Sequence, residues 1–330
     1  MALSSKPANS FIVARDGAPA ALQGAVVAIG NFDGVHRGHR AVIGAAQKRA
    51  AELGMPAAAL TFSPHPRTFL RPQEPLFALS DERSKMRLLA ATGLAGAIVF
   101  TFDAAFAATP AEDFIEKVLV GQLKISGAAI GFDFHFGKNR TGSPQFLVEQ
   151  GERFGFSVDI VPPLQDEGRP VSSGAIRTAL AQGKVVEAAE LLGAAWFVAG
   201  EVIHGAKRGR DLGFPTANIR LDPSCGLKHG IYAVRMQVDG ERHDGVASFG
   251  RRPMFDNGAP LLEVFLLNFN GDLYGKQAEV AFLGWLRNEQ TFDGVEALKT
   301  QMQADVAQAR EVLARSRGRF PELGEAGKLP

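Results

Sequence analysis

Residues 25–39 read AVVAIGNFDGVHRGH, and this stretch decides the fold of the first half of the chain. Its first five residues are apolar and end at Gly30, which is the pattern of a buried strand. The Ala-rich segment 39–53 follows, and its charged residues are spaced so that they fall on the solvent-exposed face of a helix. The sequence therefore predicts a strand that leads through a glycine-rich loop into a helix.

The same alternation of short apolar runs and amphipathic stretches continues to about residue 190. Strands that alternate with helices of about 10–15 residues form parallel βαβ units, with helices on both faces of the sheet. We therefore predict a doubly wound, Rossmann-like α/β domain over residues 12–190. The further strands are predicted at residues 57–62, 97–102, 125–131 and 158–161, and the further helices begin at Ser80, Pro110 and Ser143.

The pattern changes after residue 190, where short strands predominate. We predict a small antiparallel β-barrel and a C-terminal helix over residues 191–317, because such strands need closure to bury one face. Asp239-Gly240 and Asn270-Gly271 are strong hairpin signals between them. The helix is predicted from Asp293 to about Arg315, with Asp293 and Glu296 as a capping box. The strands are predicted at residues 196–203, 231–238, 242–249, 261–269 and 277–286, and frayed ends at 1–10 and 318–330.

Composition excludes several classes of protein. A length of 330 residues suggests about two domains. A formal net charge of +1 argues against a nucleic-acid partner, since neither half carries a basic excess. The single cysteine, Cys225, excludes an intramolecular disulfide and a cysteine-based zinc site. No segment resembles a signal peptide or a membrane span, so we expect a cytoplasmic protein with no membrane partner.

The first candidate site is the loop that follows the strand at residues 25–29. Three glycines allow close approach of the backbone to a ligand, and the N-terminus of the following helix favours an anion such as a phosphate. Two of the seven histidines, His36 and His39, lie in this loop and could donate hydrogen bonds to phosphate oxygens. A plain surface turn is one alternative, and a metal-chelating His-x-x-His pair is a less favoured one.

The second candidate site lies in residues 204–218, which read HGAKRGRDLGFPTAN. Glycines interleaved with Lys and Arg make a positively charged loop that could surround a polyphosphate. Thr216 and Asn218 lie two apart on an extended segment, so both point to one side and offer oxygens that suit Mg²⁺. A solvated basic turn followed by an ordinary strand is the alternative interpretation.

The first loop resembles the His-x-Gly-His signature of the nucleotidylyltransferase superfamily, in the form found in bacterial FAD synthetases. Segments TFSPHP at 61–66, GFDFHFG at 131–137 and SSGAIR at 172–177 resemble the same family, with Gly174 where Thr is usual. The alternative interpretation of the last segment is that its two serines only cap a helix. The resemblance implies catalytic roles for His36 and His39, phosphate contacts for Gly30, Asn31, Asp33, Gly38, Ser172, Ser173 and Arg177, and flavin contacts for Phe62, Pro64 and Asp133.

Residues 209–219, GRDLGFPTANI, resemble the riboflavin kinase signature. Phe265 stands where His is common, and residues 245–250 depart from the usual Ala-Asn-Ile-Gly. Without the resemblance, Glu263 reads as an outward-facing residue on an alternating strand. The resemblance implies that Glu263 is the catalytic base, that Thr216 and Asn218 bind Mg²⁺ and phosphate, that Gly205, Lys207, Gly209 and Gly213 bind ATP, and that Arg287 contacts the flavin.

The resemblance covers almost the whole chain and identifies it with the bacterial bifunctional riboflavin kinase/FAD synthetase family. It implies that riboflavin is phosphorylated by ATP to FMN, and that FMN then reacts with a second ATP to give FAD and pyrophosphate, with Mg²⁺ as cofactor. Two alternatives stay open, a kinase whose first domain is only a regulatory binding module, and a flavin carrier without turnover. The sequence leaves self-association open.

Overall fold

The structure is a computed structural model, and its residues group into two compact units. Of the described residues, the first unit contains those in 11–76 and 82–171, and the second contains Phe77–Asp81 and those in 172–316. The predicted division into domains at residues 12–190 and 191–317 stays a prediction. The structure describes residues 11–166, 168–205, 214–251 and 260–316.

The first unit is built on one sheet of six parallel strands. Its strands are β1 (Ile12–Arg15), β2 (Val26–Ile29), β3 (Ala57–Ser63), β4 (Gly96–Thr101), β5 (Gly127–Gly131) and β6 (Ser157–Val161). They lie in the order β1-β4-β3-β2-β5-β6. A separate antiparallel pair, β7 (Gln165–Asp166) and β8 (Arg169–Pro170), follows β6. All four residues of β2 are buried, as expected for a central strand covered on both faces. The doubly wound prediction is confirmed, and the edge strand β1 is an addition to it.

The helices of the first unit follow the predicted alternation, with two short helices added and one difference in winding. The helix predicted from Pro110 is a single α-helical turn that continues as a π-helix, Phe114–Gln122, with Phe114, Ile115 and Leu119 buried. A search for a period of 3.6 residues does not distinguish this wider winding. The α-helices are α1 (Arg37–Leu53), α2 (Pro66–Leu70), α3 (Glu82–Ala90), α4 (Ala104–Ala107), α5 (Ala111–Asp113) and α6 (Pro144–Phe154).

The strand order places a switch point between β2 and β5. The chain leaves β2 toward β3 on one side, and leaves β5 toward β6 on the other. In open α/β sheets, ligands bind outside the carboxyl ends of the strands at such a point. The loop that follows β2 and the loop that follows β5 therefore lie where a ligand site is expected.

The second unit contains a closed six-stranded antiparallel barrel, as predicted. Two helices precede it, α7 (Ser173–Ala181) and α8 (Val185–Leu192), and α9 (Val295–Arg315) follows it and packs on three of its strands. The strands are β9 (Phe197–Ile203), β10 (Thr216–Arg220), β11 (Gly230–Val238), β12 (Glu241–Arg251), β13 (Pro260–Leu266) and β14 (Gln277–Arg287), in the order β10-β13-β12-β11-β14-β9.

One of the two predicted hairpin signals is confirmed and the other is wrong. Asp239 and Gly240 join β11 to β12 with φ values of 51° and 83°, the left-handed conformation that a two-residue hairpin requires. Asn270-Gly271 lies between β13 and β14, which are not neighbours: β13 pairs with β10 and β12, and β14 with β11 and β9. A turn sequence reports a local reversal of the chain and does not determine which strands pair.

The predicted capping box of the last helix is also wrong. Helix α9 begins at Val295 with Gly294 at the N-cap position, and no side chain caps it. Val295, an apolar position of the predicted stripe, is 53% exposed, whereas Ala309 and Leu313 of the same stripe are buried against the barrel. Among the described residues, no helix is both long enough and apolar enough to cross a membrane.

Candidate active sites

The loop after β2 has an unusual backbone. Phe32, Gly34 and Val35 have φ values of 50°, 78° and 43°, and a β-branched residue rarely adopts this left-handed conformation. Val35 is fully buried, its N–H donates to the carbonyl of Phe32, and its own carbonyl accepts from Nε of Arg40 at 3.2 Å. Packing and hydrogen bonds thus hold the loop in one strained shape, which is typical of ligand sites.

The two histidines predicted to be catalytic lie together at the start of α1. His36 is the N-cap residue, 6% exposed, and its Nδ1 accepts a hydrogen bond from the backbone N–H of His39 at 3.2 Å. The rings stack with centroids 3.6 Å apart. Because Nδ1 accepts, the proton of neutral His36 is on Nε2, which is therefore a donor. A donor from His36 thus lies at the N-terminus of α1, which attracts anions.

Gly38, predicted to contact phosphate, occupies a position with little room for a side chain. A Cβ there would lie 3.1 Å from the carbonyl oxygen of Val171 and 3.1 Å from the ring of His36. Gly30 is similarly restricted, since a Cβ there would lie 3.3 Å from the ring of Phe32. A side chain at either position would therefore crowd its neighbours within the protein, so the loop or those neighbours would have to shift.

A buried lysine that we did not predict lies under the same loop. Nζ of Lys85, on α3, donates to the carbonyl of Asn31 at 3.5 Å, to Oγ1 of Thr61 at 3.3 Å and to the carbonyl of Phe62 at 3.3 Å. Oγ1 of Thr61 also donates to the carbonyl of Asn31, at 3.2 Å. The one signal in the sequence was spacing, since Lys85 precedes Leu88 and Leu89 by three and four residues and so lies on the apolar face of α3.

The three residues predicted to contact flavin in the first unit have different surroundings. Phe62 is only 9% exposed, and its ring packs against Phe102 and Phe106 with centroids 6.0 and 5.6 Å away. Pro64, which follows a cis peptide bond, and Asp133 are exposed at the carboxyl ends of β3 and β5. The exposed pair is accessible to a ligand, whereas Phe62 offers at most a small part of its ring. Their contacts with flavin stay predictions.

The SSGAIR segment lies in the second unit, at the start of α7. Oγ of Ser172 accepts from the N–H of Ala175 at 3.2 Å, so the capping role is confirmed for Ser172. Ser173 is the first residue of the helix, and Nε of Arg177 donates to the carbonyl of Phe77. Contacts of Ser172, Ser173 and Arg177 with phosphate stay predictions.

The second candidate site is assembled on three adjacent strands of the barrel. Glu263 on β13 lies directly opposite Asn218 on β10 and opposite Ser248 on β12. Residues directly opposite in a sheet project their side chains from the same face. Leu262 and Val264, which flank Glu263, are fully buried, so Glu263, Asn218 and Ser248 lie on the outward face. A side chain that points away from the barrel interior is usually an ordinary surface residue. Here that orientation places Glu263 beside two polar side chains, Asn218 and Ser248.

The surroundings of Asn218 fit a cation or a hydrogen-bond donor. Asn218 is 3% exposed, and within the described part of the chain its Oδ1 has no hydrogen-bond partner. A Cβ on Gly205 would overlap the Asn218 amide, so that glycine is needed beside it. An unpaired buried amide oxygen is costly unless a ligand meets it. Lys207, Gly209 and Gly213 lie outside the described residues.

Arg287, predicted to contact flavin, is engaged by an aspartate of α9. Its Nε and Nη2 donate to Oδ1 and Oδ2 of Asp305, each at 2.7 Å, and its Nη1 donates to the carbonyl of Asn288. The two side chains are 15% and 4% exposed. The edge of the guanidinium is therefore occupied, and its Cζ lies over the ring of Phe292, 5.8 Å from the centroid. Its contact with flavin stays a prediction. Asp305 was not singled out from the sequence, because an acid on a helix ordinarily faces solvent.

Comparison with known proteins assigns a family to each half. A family model for FAD synthetase matches residues 18–175, and one for riboflavin kinase matches residues 192–313. The chain is 40% identical over 295 residues to the bifunctional riboflavin kinase/FMN adenylyltransferase of Pseudomonas fluorescens, which covers 89% of this chain and 94% of that protein. Identity to the enzyme of the same name from Escherichia coli K12 is 38% over 290 residues, covering 88% and 93%.

A solved structure extends the comparison. The crystal structure described as a macrolide-efflux protein from Streptococcus pneumoniae superimposes with a TM-score of 0.81 at 31% identity. The match covers 91% of this chain and 99% of that one. The likeness therefore includes both compact units.

Proposed function

The chain belongs to the family of bifunctional riboflavin kinases/FMN adenylyltransferases, and from this premise we propose which residues carry each reaction. It transfers a phosphoryl group from ATP to riboflavin, giving FMN, and then transfers an adenylyl group from a second ATP to FMN, giving FAD and pyrophosphate. The observation that carries this function is that two family models match the two halves of one chain.

In the kinase reaction we assign the role of general base to Glu263. Its carboxylate takes the proton of the riboflavin 5′-hydroxyl as the hydroxyl oxygen attacks the γ-phosphorus of ATP, and ADP leaves. Support for this role comes from its position on the outward face, opposite Asn218 and Ser248 on the neighbouring strands. An acid there can reach a bound hydroxyl, whereas the interior of the barrel is filled by apolar side chains.

The oxygen donors beside Glu263 suit a magnesium ion. Oδ1 of Asn218 is buried and, among the described residues, accepts no hydrogen bond, and Thr216 lies two residues before it on the same face of β10. We propose that these two residues hold Mg²⁺, which would neutralise phosphate charge during the transfer. Gly205 keeps the space beside Asn218 open. Lys207, Gly209 and Gly213 are proposed to contact the ATP phosphates.

The adenylylation reaction needs no nucleophile from the protein. A phosphate oxygen of FMN attacks the α-phosphorus of ATP, and pyrophosphate leaves, so the protein contributes positioning and stabilisation of charge. We propose that Nε2 of His36, the ring of His39 and the backbone of the loop that contains Gly30, Asn31, Asp33 and Gly38 meet the phosphates. Ser172, Ser173 and Arg177 are proposed as further phosphate contacts, and Pro64 and Asp133 as flavin contacts.

The direct test is to identify the products of the pure, full-length protein. After incubation with riboflavin, ATP and Mg²⁺, chromatography should show FMN appearing first and FAD following. FMN without FAD would favour a kinase whose first unit is a regulatory module. Riboflavin bound but unchanged would favour a carrier.

We further propose a cytoplasmic location and no nucleic-acid partner. The location is supported by the use of ATP in both reactions. The absence of a nucleic-acid partner is supported by the net charge of +1, because binding to nucleic acid needs a basic surface. Self-association is left to measurement by light scattering.

A further inference from the structure

We propose that Lys85 is a positioning residue for FMN adenylylation: its buried ammonium group fixes the peptide that opens the loop after β2. Lys85 contacts Asn31, Thr61 and Phe62, and nothing in the signature segments of the chain includes it. The proposal rests on the proposed adenylylation at this loop, and it adds a residue that acts through the backbone without touching substrate.

The burial of Lys85 calls for an explanation. The residue is 9% exposed, and a buried ammonium is costly unless it is hydrogen-bonded and close to opposite charge. Burial lowers the pKa of Lys85 from its ordinary value, while the negative charges of Asp33 and Glu82 oppose that decrease. Asp33 is itself 5% exposed and belongs to the same loop, so the ammonium compensates a buried carboxylate as well.

The hydrogen bonds of Lys85 join the ends of two strands. One acceptor, the carbonyl of Asn31, lies just beyond β2, and the other two, Thr61 and Phe62, lie in the last residues of β3. Thr61 closes the network, because its hydroxyl donates to the same Asn31 carbonyl. One ammonium group therefore fixes the start of the candidate phosphate loop relative to the segment that carries Phe62 and Pro64.

The orientation of the Asn31 carbonyl determines where the next N–H points. In a planar trans peptide the C=O and the following N–H point in opposite directions. Since Lys85 and Thr61 draw the carbonyl of Asn31 toward themselves, the N–H of Phe32 is directed away from them. Phe32 itself has the left-handed φ of 50°. The ammonium thus sets the direction of the first peptide of the loop proposed to surround the phosphates.

Simple packing does not account for an ammonium group at this position. An unbranched apolar residue such as Met would fill a similar space without the cost of burying a charge. What Met cannot do is hold two carbonyl groups and a hydroxyl at once. The charge is therefore explained by the loop geometry that it imposes, and loss of the charge should affect the reaction more than the fold.

The test compares Lys85→Met, Lys85→Arg and wild type as full-length proteins. For Lys85→Met we expect kcat of FMN adenylylation to fall about 10–100-fold, the scale of a small misplacement of reacting groups, with KM for FMN unchanged. Lys85→Arg should recover most of the loss, because it restores a buried cation with several donors. Riboflavin phosphorylation should be unchanged in both. The matched control is Lys48→Met, which removes an exposed lysine of α1 and should change neither reaction.

The outcomes separate this proposal from the function on which it rests. Wild-type protein that makes no FAD from FMN would overturn the proposed function, whatever the variants do. Wild type that makes FAD, with a Lys85→Met variant as fast as wild type, would overturn the positioning role alone. If Lys85→Met fails to fold, Thr61→Val decides, because it removes one hydroxyl and keeps the size: a several-fold loss of kcat supports the proposal, and an unchanged kcat contradicts it.

Discussion

The two phosphate-handling regions of this chain are built in different ways. After β2, a strained backbone loop is held by hydrogen bonds from Lys85 to the carbonyl of Asn31 and from Arg40 to the carbonyl of Val35. Its candidate phosphate-binding groups are backbone N–H groups and two stacked histidines. On the barrel, polar side chains project from regular strands that would form whatever those side chains were. The first region should therefore depend on residues that fix the backbone, and the second on the chemistry of single side chains.

The largest effect is expected where one side chain carries the chemistry. Glu263→Gln keeps the shape of the barrel face and removes the base, so FMN formation should fall by about 10²–10⁴-fold. FMN added from outside should still be converted to FAD at the normal rate, which controls for misfolding. Both rates are read by chromatography of the flavins. Normal FMN production by this variant would return Glu263 to a plain surface position.

A free energy of similar size is expected when the ion pair between Arg287 on β14 and Asp305 on α9 is broken, but it appears in stability and not in activity. Asp305→Asn leaves the guanidinium of Arg287 buried without its carboxylate, so the free energy of unfolding of the second unit should fall by about 3–5 kcal/mol. Urea titration followed by tryptophan fluorescence reports on this unit, because both tryptophans, Trp196 and Trp285, lie in it.

The control for the ion pair is Glu296→Gln on the same helix. Its carboxylate is 88% exposed, so the change should be close to zero. Equal stability of the Asp305 and Glu296 variants would show that the buried pair adds nothing to the fold.

The first region should respond to loss of a histidine. In His39→Ala the transferred phosphate loses a hydrogen-bond donor, which typically costs about 2.7–4 kcal/mol of transition-state stabilisation. FMN should therefore accumulate while riboflavin is phosphorylated at the normal rate. A product time course from riboflavin measures both steps at once. FAD formed at the wild-type rate would contradict the phosphate role of this loop.

The smallest effect is expected from a single added methyl group, and α1 provides a matched pair. Gly38→Ala places a Cβ 3.1 Å from both His36 and the Val171 carbonyl, so the loop must shift and FAD formation should fall several-fold. Gly44→Ala meets nothing within 4 Å and should stabilise the helix by about 0.5–1 kcal/mol with normal activity. Equal activity of the two variants would show that close backbone approach at Gly38 is not needed.

Local patterns were sufficient to predict the outlines of both folds. The apolar run before Gly30 predicted β2, and Asp239-Gly240 predicted the tight hairpin between β11 and β12. Features that depend on distant contacts were not predictable in this way. Strand β1 is a four-residue edge strand that pairs with β4, and Asn270-Gly271 does not reveal that β13 and β14 pair elsewhere.

The functional residues likewise divide into those that local sequence predicts and those that depend on tertiary contacts. The histidines and glycines of residues 30–39 could be predicted because their chemistry is concentrated in one short segment. Lys85 and Asp305 were missed, because a charge on a helix ordinarily faces solvent. The spacing of Lys85 from Leu88 and Leu89 was a weak signal, and the tertiary structure shows that both charged residues are buried. The polar group of Asn218, Glu263 and Ser248 likewise depends on strand register, which the sequence does not give.

Mixing the two single-site variants tests most directly whether two separate sites act in one chain. Glu263→Gln supplied with riboflavin should make almost no FMN, and His39→Ala should stop at FMN. When the two proteins are combined with riboflavin, ATP and Mg²⁺, we predict that FAD appears, because FMN released by one protein is adenylylated by the other. A mixture that makes no FAD, or a single variant that loses both reactions, would contradict the account.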